Sequence, residues 1–178
     1  ALATGPGTIS AQGAKLSASA GNSPNTAMIA TLATLGTVHG GNGAQAVKYL
    51  IRIFGGTSLM DPYQLPADLD LDAVVEQEAR RFMTERAAAK EADTEYRRIP
   101  CMGHPVYKDK DVNHDPREVV IREFLASQGV TNVFIEFYHK LSITLRDKGV
   151  ARNAWAVNVD AAIASVWLGV TWPLLREK

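Results

Sequence analysis

Residues 115–149 read DPREVVIREFLASQGVTNVFIEFYHKLSITLRDKG and predict two consecutive α-helices. The first has Asp115 as an N-cap, proline at the first helical position and Glu118 at the third, and it ends at Gly129. Thr131 is predicted to cap the second helix, whose apolar side chains recur every three or four residues until Gly149. Neither half shows the alternating pattern of a half-buried strand.

The same helical period recurs on both sides of this stretch. Upstream, a helix is predicted from Ser23 to His39, with one apolar face made of Met28, Leu32, Leu35 and His39. A glycine break precedes a second helix that ends near Gly55, and a third begins at Leu71 and becomes polar between Glu85 and Arg98. Downstream, a last helix is expected from near Asp160 to Pro173. About six helices and no convincing strand give an all-α fold class.

Composition excludes several classes of function. The 178 residues carry 19 Lys and Arg against 19 Asp and Glu, so a nucleic acid or an anionic membrane surface is not expected as partner. No apolar stretch is long enough to predict a membrane span. The single cysteine, Cys101, cannot form an internal disulfide, and the start of the chain lacks a signal-peptide pattern, so a cytoplasmic location is expected. The missing initiator Met and the abrupt end at Lys178 indicate an incomplete chain.

Three polar residues stand in unusual surroundings. His39 precedes a run of glycines that would let a ligand approach, although a histidine satisfied by core carbonyls is an equally simple interpretation. His104 lies in a non-periodic segment with Lys108 four residues later, which fits either a site that polarises a carbonyl or a plain surface loop. Asp160 lies in an apolar run, either as the N-cap of the last helix or as a desolvated base. His114 and His139 are predicted to be surface residues.

Other chemistries find little support. The four histidines and one cysteine form no metal-binding pattern, so no metal is predicted. Nucleotide-binding glycine motifs and a hydrolase nucleophile elbow are also absent from the sequence, and Cys101 has no evident reason to ionise.

Taken in order, the polar motifs resemble the citrate synthase superfamily. Its members carry His-Gly-Gly, then Gly-His-x-Val-Tyr-Lys followed by Asp-Pro-Arg, and finally Asn-Val-Asp. The corresponding residues here are His39–Gly41, Gly103–Lys108, Asp115–Arg117 and Asn158–Asp160. The opening, Gly5–Gly41, is similar to citryl-CoA lyase and to the citryl-CoA lyase module of ATP-citrate lyase. The resemblance implies a two-domain helical fold in which residues 1–41 belong to the large domain, 42–158 form a small mobile domain and 159–178 return to the large one.

The resemblance also implies a role for each polar residue. Asp160 would exchange a proton with the methyl carbon of acetyl-CoA, His39 would hydrogen-bond the thioester oxygen, and His104 would polarise and protonate the keto-acid carbonyl. Arg117 and Asn158 would bind the substrate, Arg117 by gripping a carboxylate. The expected coenzyme A contacts come from Ile99, Pro100, Met102, Gly103 and Lys108.

The implied activity is cleavage of citryl-CoA to acetyl-CoA and oxaloacetate, by an enzyme that acts on an acyl-CoA and an α-keto acid. Condensation of an acyl-CoA with oxaloacetate, by a citrate or 2-methylcitrate synthase, is the alternative, and the sequence leaves the direction open. A non-catalytic helical domain that binds coenzyme A is a third possibility. In each case coenzyme A enters as a ligand or substrate thioester and no cofactor is permanently bound. Members of the superfamily are typically homodimers, so a homodimer is expected.

Overall fold

A computed structural model of the chain describes residues 7–36, 39–103 and 114–177, and within these ranges all regular structure is helical. The prediction of an all-α fold is therefore confirmed. The described residues form seven helices: α1 Ile9–Ser19, α2 Pro24–Ala33, α3 Asn42–Phe54, α4 Leu71–Glu91, α5 Pro116–Ser127, α6 Val133–Asp147 and α7 Val159–Arg176. The chain divides into two compact units, Ala1–Asn42 and Gly43–Lys178. The assignment of residues 1–41, 42–158 and 159–178 to a large and a small domain stays a prediction.

The first unit consists of α1 packed against α2. Helix α1 was not predicted, because its sequence, ISAQGAKLSAS, is short and carries few apolar side chains. Gly13 lies where the two helices meet: a Cβ added there would lie 2.9 Å from the Ala30 carbonyl oxygen and 2.9 Å from Thr34 Cγ2. The absence of a side chain at Gly13 therefore allows the close approach of the two helices.

Gly13→Ala is expected to lower the free energy of unfolding of the first unit by about 1 kcal/mol, because overpacking against the Ala30 carbonyl outweighs the better helix propensity of alanine. Urea unfolding followed by circular dichroism measures the change. Gly7→Ala is the matched control, since an added Cβ there meets no described atom within 4 Å. If Gly13→Ala were as neutral as Gly7→Ala, the close packing of α1 on α2 would be wrong.

The prediction that the helix beginning at Ser23 continues to His39 is wrong. Ser23 does cap α2, since its hydroxyl accepts from the Thr26 N–H, but the helix ends at Ala33 with Thr34 as its C-cap. The supposed apolar face is also exposed at Met28, Leu32 and Leu35. The apolar spacing continues past Ala33, but glycine at 36 and 40 removes the side chains that favour a helical backbone.

The second unit is built around a cluster of aromatic rings. Phe54 of α3 contacts Phe134 and Phe137 of α6 edge-on, with ring centroids 5.3 Å apart in both pairs. Trp172 of α7 contacts Phe134 on its other side at 5.2 Å. Helix α6 also packs against α4 and α7, and α5 packs against α7. Ala161 near the start of α7 and Trp172 near its end both belong to the buried core, so the core contacts this helix, which follows Asn158, along most of its length.

The capping signals mark most helix starts correctly and two boundaries incorrectly. Asp115 caps α5 as predicted, through its carboxylate and the Arg117 N–H. The N-cap of α6 is Asn132 rather than Thr131, and its amide oxygen accepts from two N–H groups of the first turn. Helix α7 does not stop before Pro173 but contains it and ends at Arg176. Within residues 7–36, 39–103 and 114–177, every helix is too short or too polar to cross a bilayer.

Candidate active site

Two predicted site segments are paired by backbone hydrogen bonds in the second unit. The Gly103 N–H donates to the Ala156 carbonyl at 2.7 Å, and the Asn158 N–H donates to the Cys101 carbonyl at 3.1 Å. Between these bonds, Met102 and Val157 form an isolated antiparallel bridge. The end of the stretch predicted to hold coenzyme A thus lies directly beside the residues that lead into α7 and Asp160.

Cys101 adopts an unusual backbone conformation at this pairing. Its φ of 60° lies in the left-handed region, which costs an L-residue roughly 1–2 kcal/mol. Such strain persists only where the surroundings hold the backbone in place, and it is common at active sites. Burial, and then the negative charge of Asp160, raise the pKa of the Cys101 thiol to about 12, so the thiol stays protonated near neutral pH.

Asp115 connects the start of α5 to the start of α7. Its carboxylate is fully buried and accepts from the Arg117 N–H at 3.0 Å, from Arg117 Nε at 2.9 Å and from Arg117 Nη2 at 2.6 Å. It also accepts from the Val159 N–H at 3.1 Å. Sequence reasoning found only the local cap at α5, because nothing near Asp115 in the sequence indicates a contact with Val159, 44 residues away.

The electrostatics of Asp115 predict an acid-sensitive contribution to stability. Burial raises the pKa of this carboxyl, but the hydrogen bonds from Arg117 and from the Val159 backbone lower it more, so its pKa is below the ordinary value. The contribution is complete above the pKa of the unfolded chain, about 3.9, and is lost as the pH falls from there through the lower folded pKa. The difference in unfolding free energy between wild type and Asp115→Asn should therefore shrink between about pH 7 and about pH 3 in urea titrations. An equal difference at both pH values would contradict this assignment.

Asp160 is the second residue of α7 and is half-buried. The interpretation of Asp160 as N-cap is wrong, because Asn158 occupies that position, with extended φ and ψ of −87° and 166°. Helix α3 begins alongside: a Cβ added to Gly43 would lie 4.0 Å from the Asp160 carbonyl oxygen. The carboxylate therefore lies in the positive first turn of a helix, where a negative charge is favoured. Its role as a base stays a prediction.

The side-chain oxygen of Asn158 makes no hydrogen bond to the described residues. Although Asn158 occupies the N-cap position, its side chain makes no capping bond to α7. Its Oδ1 is buried and has no hydrogen-bond partner among the described residues. A buried acceptor without a partner costs about 1–3 kcal/mol, so a ligand that donates a hydrogen bond here would gain from the contact.

Arg117, the predicted carboxylate-binding residue, is held in a bidentate ion pair with Asp115. Its side chain is mostly buried. Asp115, which is bonded to Arg117, also accepts from the Val159 N–H. Arg117 therefore lies at the same end of α7 as Asp160. A substrate carboxylate would meet a guanidinium whose orientation is already fixed.

His39 lies in the first unit, in a turn between α2 and α3. Its carbonyl accepts from the Gly36 N–H at 2.8 Å, and Gly40 follows with a φ of 93°, a conformation that favours glycine. The ring Nε2 is buried and has no hydrogen-bond partner among the described residues. Among the described residues no core carbonyl accepts from this nitrogen, and the role of His39 stays a prediction.

The remaining predicted residues fall into two groups. His104 and Lys108 lie outside the described residues, so their roles stay predictions. Ile99 and Pro100 are buried, whereas Gly103 is exposed and Met102 is partly exposed, so any ligand reaches the last two more readily. Gly103 comes just before residues 104–113 in the sequence, and Asp115 comes shortly after them. The Gly103 N–H donates to the Ala156 carbonyl, and the Asp115 carboxylate accepts from the Val159 N–H.

The prediction that His139 is a surface residue is wrong. Its Nε2 lies 2.7 Å from Oε1 of Glu118, a carboxylate that is almost fully buried. Glu118 was interpreted only as the third residue of a capped helix, and no local signal indicates its pairing with α6. His114 is exposed, as predicted.

Two cavities are lined by described residues of the second unit. A cleft of about 300 Å³ lies between the end of α5 and the start of α6, and none of the described site residues lines it. A cavity of about 40 Å³ is bounded by His114, His139 and Val157, next to the paired segment. No cluster of three potential metal ligands occurs in the described part of the chain.

Comparisons with known proteins agree with this architecture. The family described as "Citrate synthase, C-terminal domain" matches residues 5–173. No curated protein sequence matches the chain.

Two solved structures share the fold. That of citryl-CoA lyase from Hydrogenobacter thermophilus has a TM-score of 0.56 at 22% identity, and the match covers 97% of this chain and 58% of that one. That of ATP citrate lyase from Methanothrix soehngenii, in complex with citrate and coenzyme A, has a TM-score of 0.61 at 17% identity over 94% of this chain and 22% of that one. The predicted citrate synthase-like helical fold is confirmed, and the chain spans only part of either structure.

Proposed function

The chain belongs to the citrate synthase family, and from this premise we propose that it cleaves citryl-CoA to acetyl-CoA and oxaloacetate. The observation that carries the proposal is the joining of the second and third polar motifs at one place. Gly103 and Asp115, on either side of the His104 segment, both hydrogen-bond the stretch that leads into Asp160. The likeness to citryl-CoA lyase supports the proposal at the level of the fold.

In this proposal three side chains share the chemistry. His104 takes the proton from the hydroxyl group of citryl-CoA, and the carbon–carbon bond breaks as that oxygen becomes the carbonyl of oxaloacetate. The electron pair of the broken bond forms the enolate of acetyl-CoA, whose oxygen accepts a hydrogen bond from His39. In the complex with citryl-CoA this direction requires the acid form of Asp160, which then gives its proton to the terminal carbon. The Nε2 of His39 is buried and has no hydrogen-bond partner among the described residues, which supports its assignment as a donor to a bound ligand.

Substrate binding is assigned to the groups around the start of α7. Arg117, already oriented by Asp115, binds a carboxylate of the citryl moiety, and the unpartnered Oδ1 of Asn158 accepts a hydrogen bond from the substrate. The exposed backbone at Gly103, with Met102 and Lys108, contacts coenzyme A, while Ile99 and Pro100 support that backbone from the core. The solved ATP citrate lyase binds citrate and coenzyme A, which supports this choice of ligands. The functional form is a homodimer in the cytoplasm, without a permanently bound cofactor.

The same side chains, acting in the reverse reaction, would form citrate. The matching family is described as the C-terminal domain of citrate synthase, which supports condensation of acetyl-CoA or propionyl-CoA with oxaloacetate as the second candidate. In that direction Asp160 removes the methyl proton and His104 protonates the carbonyl oxygen.

The purified full-length protein should be assayed in both directions. Release of oxaloacetate from citryl-CoA, followed through its reduction by a coupled dehydrogenase, is the expected result. Release of free coenzyme A from acetyl-CoA or propionyl-CoA with oxaloacetate, without citryl-CoA cleavage, would replace the lyase by a synthase. Turnover of none of these substrates would refute both functions.

A further inference from the structure

We propose that Asp115 is a positioning residue for Asp160: its carboxylate, carried by α5, caps the first turn of α7 and thereby sets where the Asp160 carboxylate lies. The inference rests on the proposed function, in which Asp160 exchanges a proton with substrate carbon. It adds a residue that touches neither substrate nor reacting atoms.

The first turn of α7 lacks a cap of its own. Helix N-termini have N–H groups without intrahelical partners, and a side chain at the N-cap position usually accepts from one of them. Asn158 occupies that position and makes no such bond in the described structure. Asp115 supplies the missing acceptor from another helix, since its Oδ2 lies 3.1 Å from the Val159 N–H.

Asp115 is itself held rigidly. Its carboxylate is fully buried, and its Oδ1 accepts from both the N–H and the Nε of Arg117, while Oδ2 accepts from Nη2 as well as from Val159. With four donors around two oxygens, the group has little freedom to rotate. The peptide that joins Asn158 to Val159, one residue before Asp160, is therefore fixed from outside α7.

A second contact holds the other side of the same peptide stretch. The Asn158 N–H donates to the Cys101 carbonyl, so the residues before Asp160 are held between α5 and the segment that leads to His104. Because a displacement of about 1 Å can reduce a rate by roughly 100-fold, loss of one of these anchors should lower turnover.

Two variants remove the contact from opposite sides. Asp115→Asn removes the charge, and Val159→Pro removes the donated N–H together with a buried valine side chain. Proline is favoured at the first position of a helix, and the extended backbone of Asn158 is compatible with a following proline. Each variant should lower kcat roughly 10–100-fold while the dissociation constant for coenzyme A changes less than about threefold. The loss in the double variant should be clearly smaller than the product of the two single losses, because both changes affect the same Val159–Asp115 hydrogen bond.

Asn132→Ala is the control for a purely structural effect. Asn132 is a buried N-cap of the same unit, accepts from the Phe134 and Ile135 N–H groups, and caps α6 rather than α7. Its Nδ2 donates to the Ser165 carbonyl of α7 at 3.3 Å, five residues beyond Asp160 and away from the first turn. It should reduce stability but leave kcat within about twofold. An unchanged kcat in Val159→Pro, effects that multiply in the double variant, or an equal loss of kcat in Asn132→Ala would each overturn the positioning role. If Asp115→Asn does not fold, Val159→Pro decides.

The positioning role and the proposed function fail in different ways. A wild-type chain without turnover on citryl-CoA, acetyl-CoA or propionyl-CoA would refute the function. Amide hydrogen exchange in the first turn of α7 then decides the positioning role. Faster exchange there in Asp115→Asn than in Asn132→Ala supports it, and equal exchange overturns it.

Discussion

Asp160→Asn is expected to lower kcat by roughly 10²–10⁴-fold, which corresponds to about 3–5 kcal/mol of transition-state stabilisation. Asparagine has the shape of aspartate but cannot give or take the proton at the substrate carbon. The helical backbone at this position should not change, because Val159 and Asn158 make the anchoring hydrogen bonds through their N–H groups. Steady-state kinetics on citryl-CoA, and calorimetric titration of coenzyme A, measure the two effects separately.

Asp72→Asn provides a closely matched control. Asp72 is the second residue of α4, as Asp160 is of α7, so the substitution removes the same charge from the same position of a helix. Its carboxylate is exposed and contacts Lys140. This variant should keep kcat within about twofold and lose at most about 1 kcal/mol of stability.

The outcome also separates an enzyme from a binding domain. The enzymatic assignment requires that Asp160→Asn binds coenzyme A with nearly unchanged affinity and turns over very little substrate. A non-catalytic coenzyme A-binding domain would bind equally well in both forms and show no turnover in either. A variant that keeps more than about a tenth of the wild-type kcat would exclude Asp160 as the acid–base group.

Helix type and most helix starts were predictable because the signals that mark them are local. Asp115 with Pro116 and Ser23 with Pro24 place a cap and a rigid φ at adjacent positions, so a few neighbouring residues determine where each helix starts. The prediction for the end of α2 is wrong because it also relied on a local signal, the spacing of apolar residues. Its apolar spacing extends beyond Ala33, but nothing in the described first unit buries Leu32 and Leu35, so spacing alone did not indicate a packed face.

The arrangement of the candidate site was less predictable, because it depends on contacts between distant segments. The pairing of Gly103 with Ala156 and the bond from Val159 to Asp115 join residues more than 40 positions apart. Neither contact has a local signal. Only the resemblance to a family indicated that the motifs act together, and it gave a role to Arg117 but none to Asp115.

The physical reason is that Asp115 satisfies two demands with one carboxylate. Its capping of α5 is a sufficient explanation for an aspartate before proline. The sequence therefore contains no additional feature that would indicate a second role for Asp115. In the folded chain the same group also replaces the cap that Asn158 does not provide. Asn158 thereby retains a buried oxygen without a partner among the described residues, which is consistent with a residue that binds a ligand rather than capping its helix.

At the opposite end of α7, Trp172→Ala is expected to lower the free energy of unfolding by about 3–5 kcal/mol. Trp172 is 1% exposed, its Nε1 donates to the Leu59 carbonyl at 2.8 Å, and its ring contacts Phe134. The substitution removes the ring from the aromatic cluster and leaves a buried carbonyl without its donor. Urea unfolding, followed by circular dichroism, measures the loss.

Trp167→Ala tests whether burial causes this loss, because it removes the same side chain from the same helix at a position that is 69% exposed. It should change the free energy of unfolding by no more than about 0.5 kcal/mol. Trp172→Phe should fall between the two, since it keeps an aromatic ring against Phe134 but loses the hydrogen bond to Leu59, at a cost of about 1–3 kcal/mol. Equal effects of Trp172→Ala and Trp167→Ala would mean that α7 is not anchored in the aromatic cluster. The position of Asp160 would then depend on the contacts of the first turn and the middle of α7 rather than on its C-terminal end.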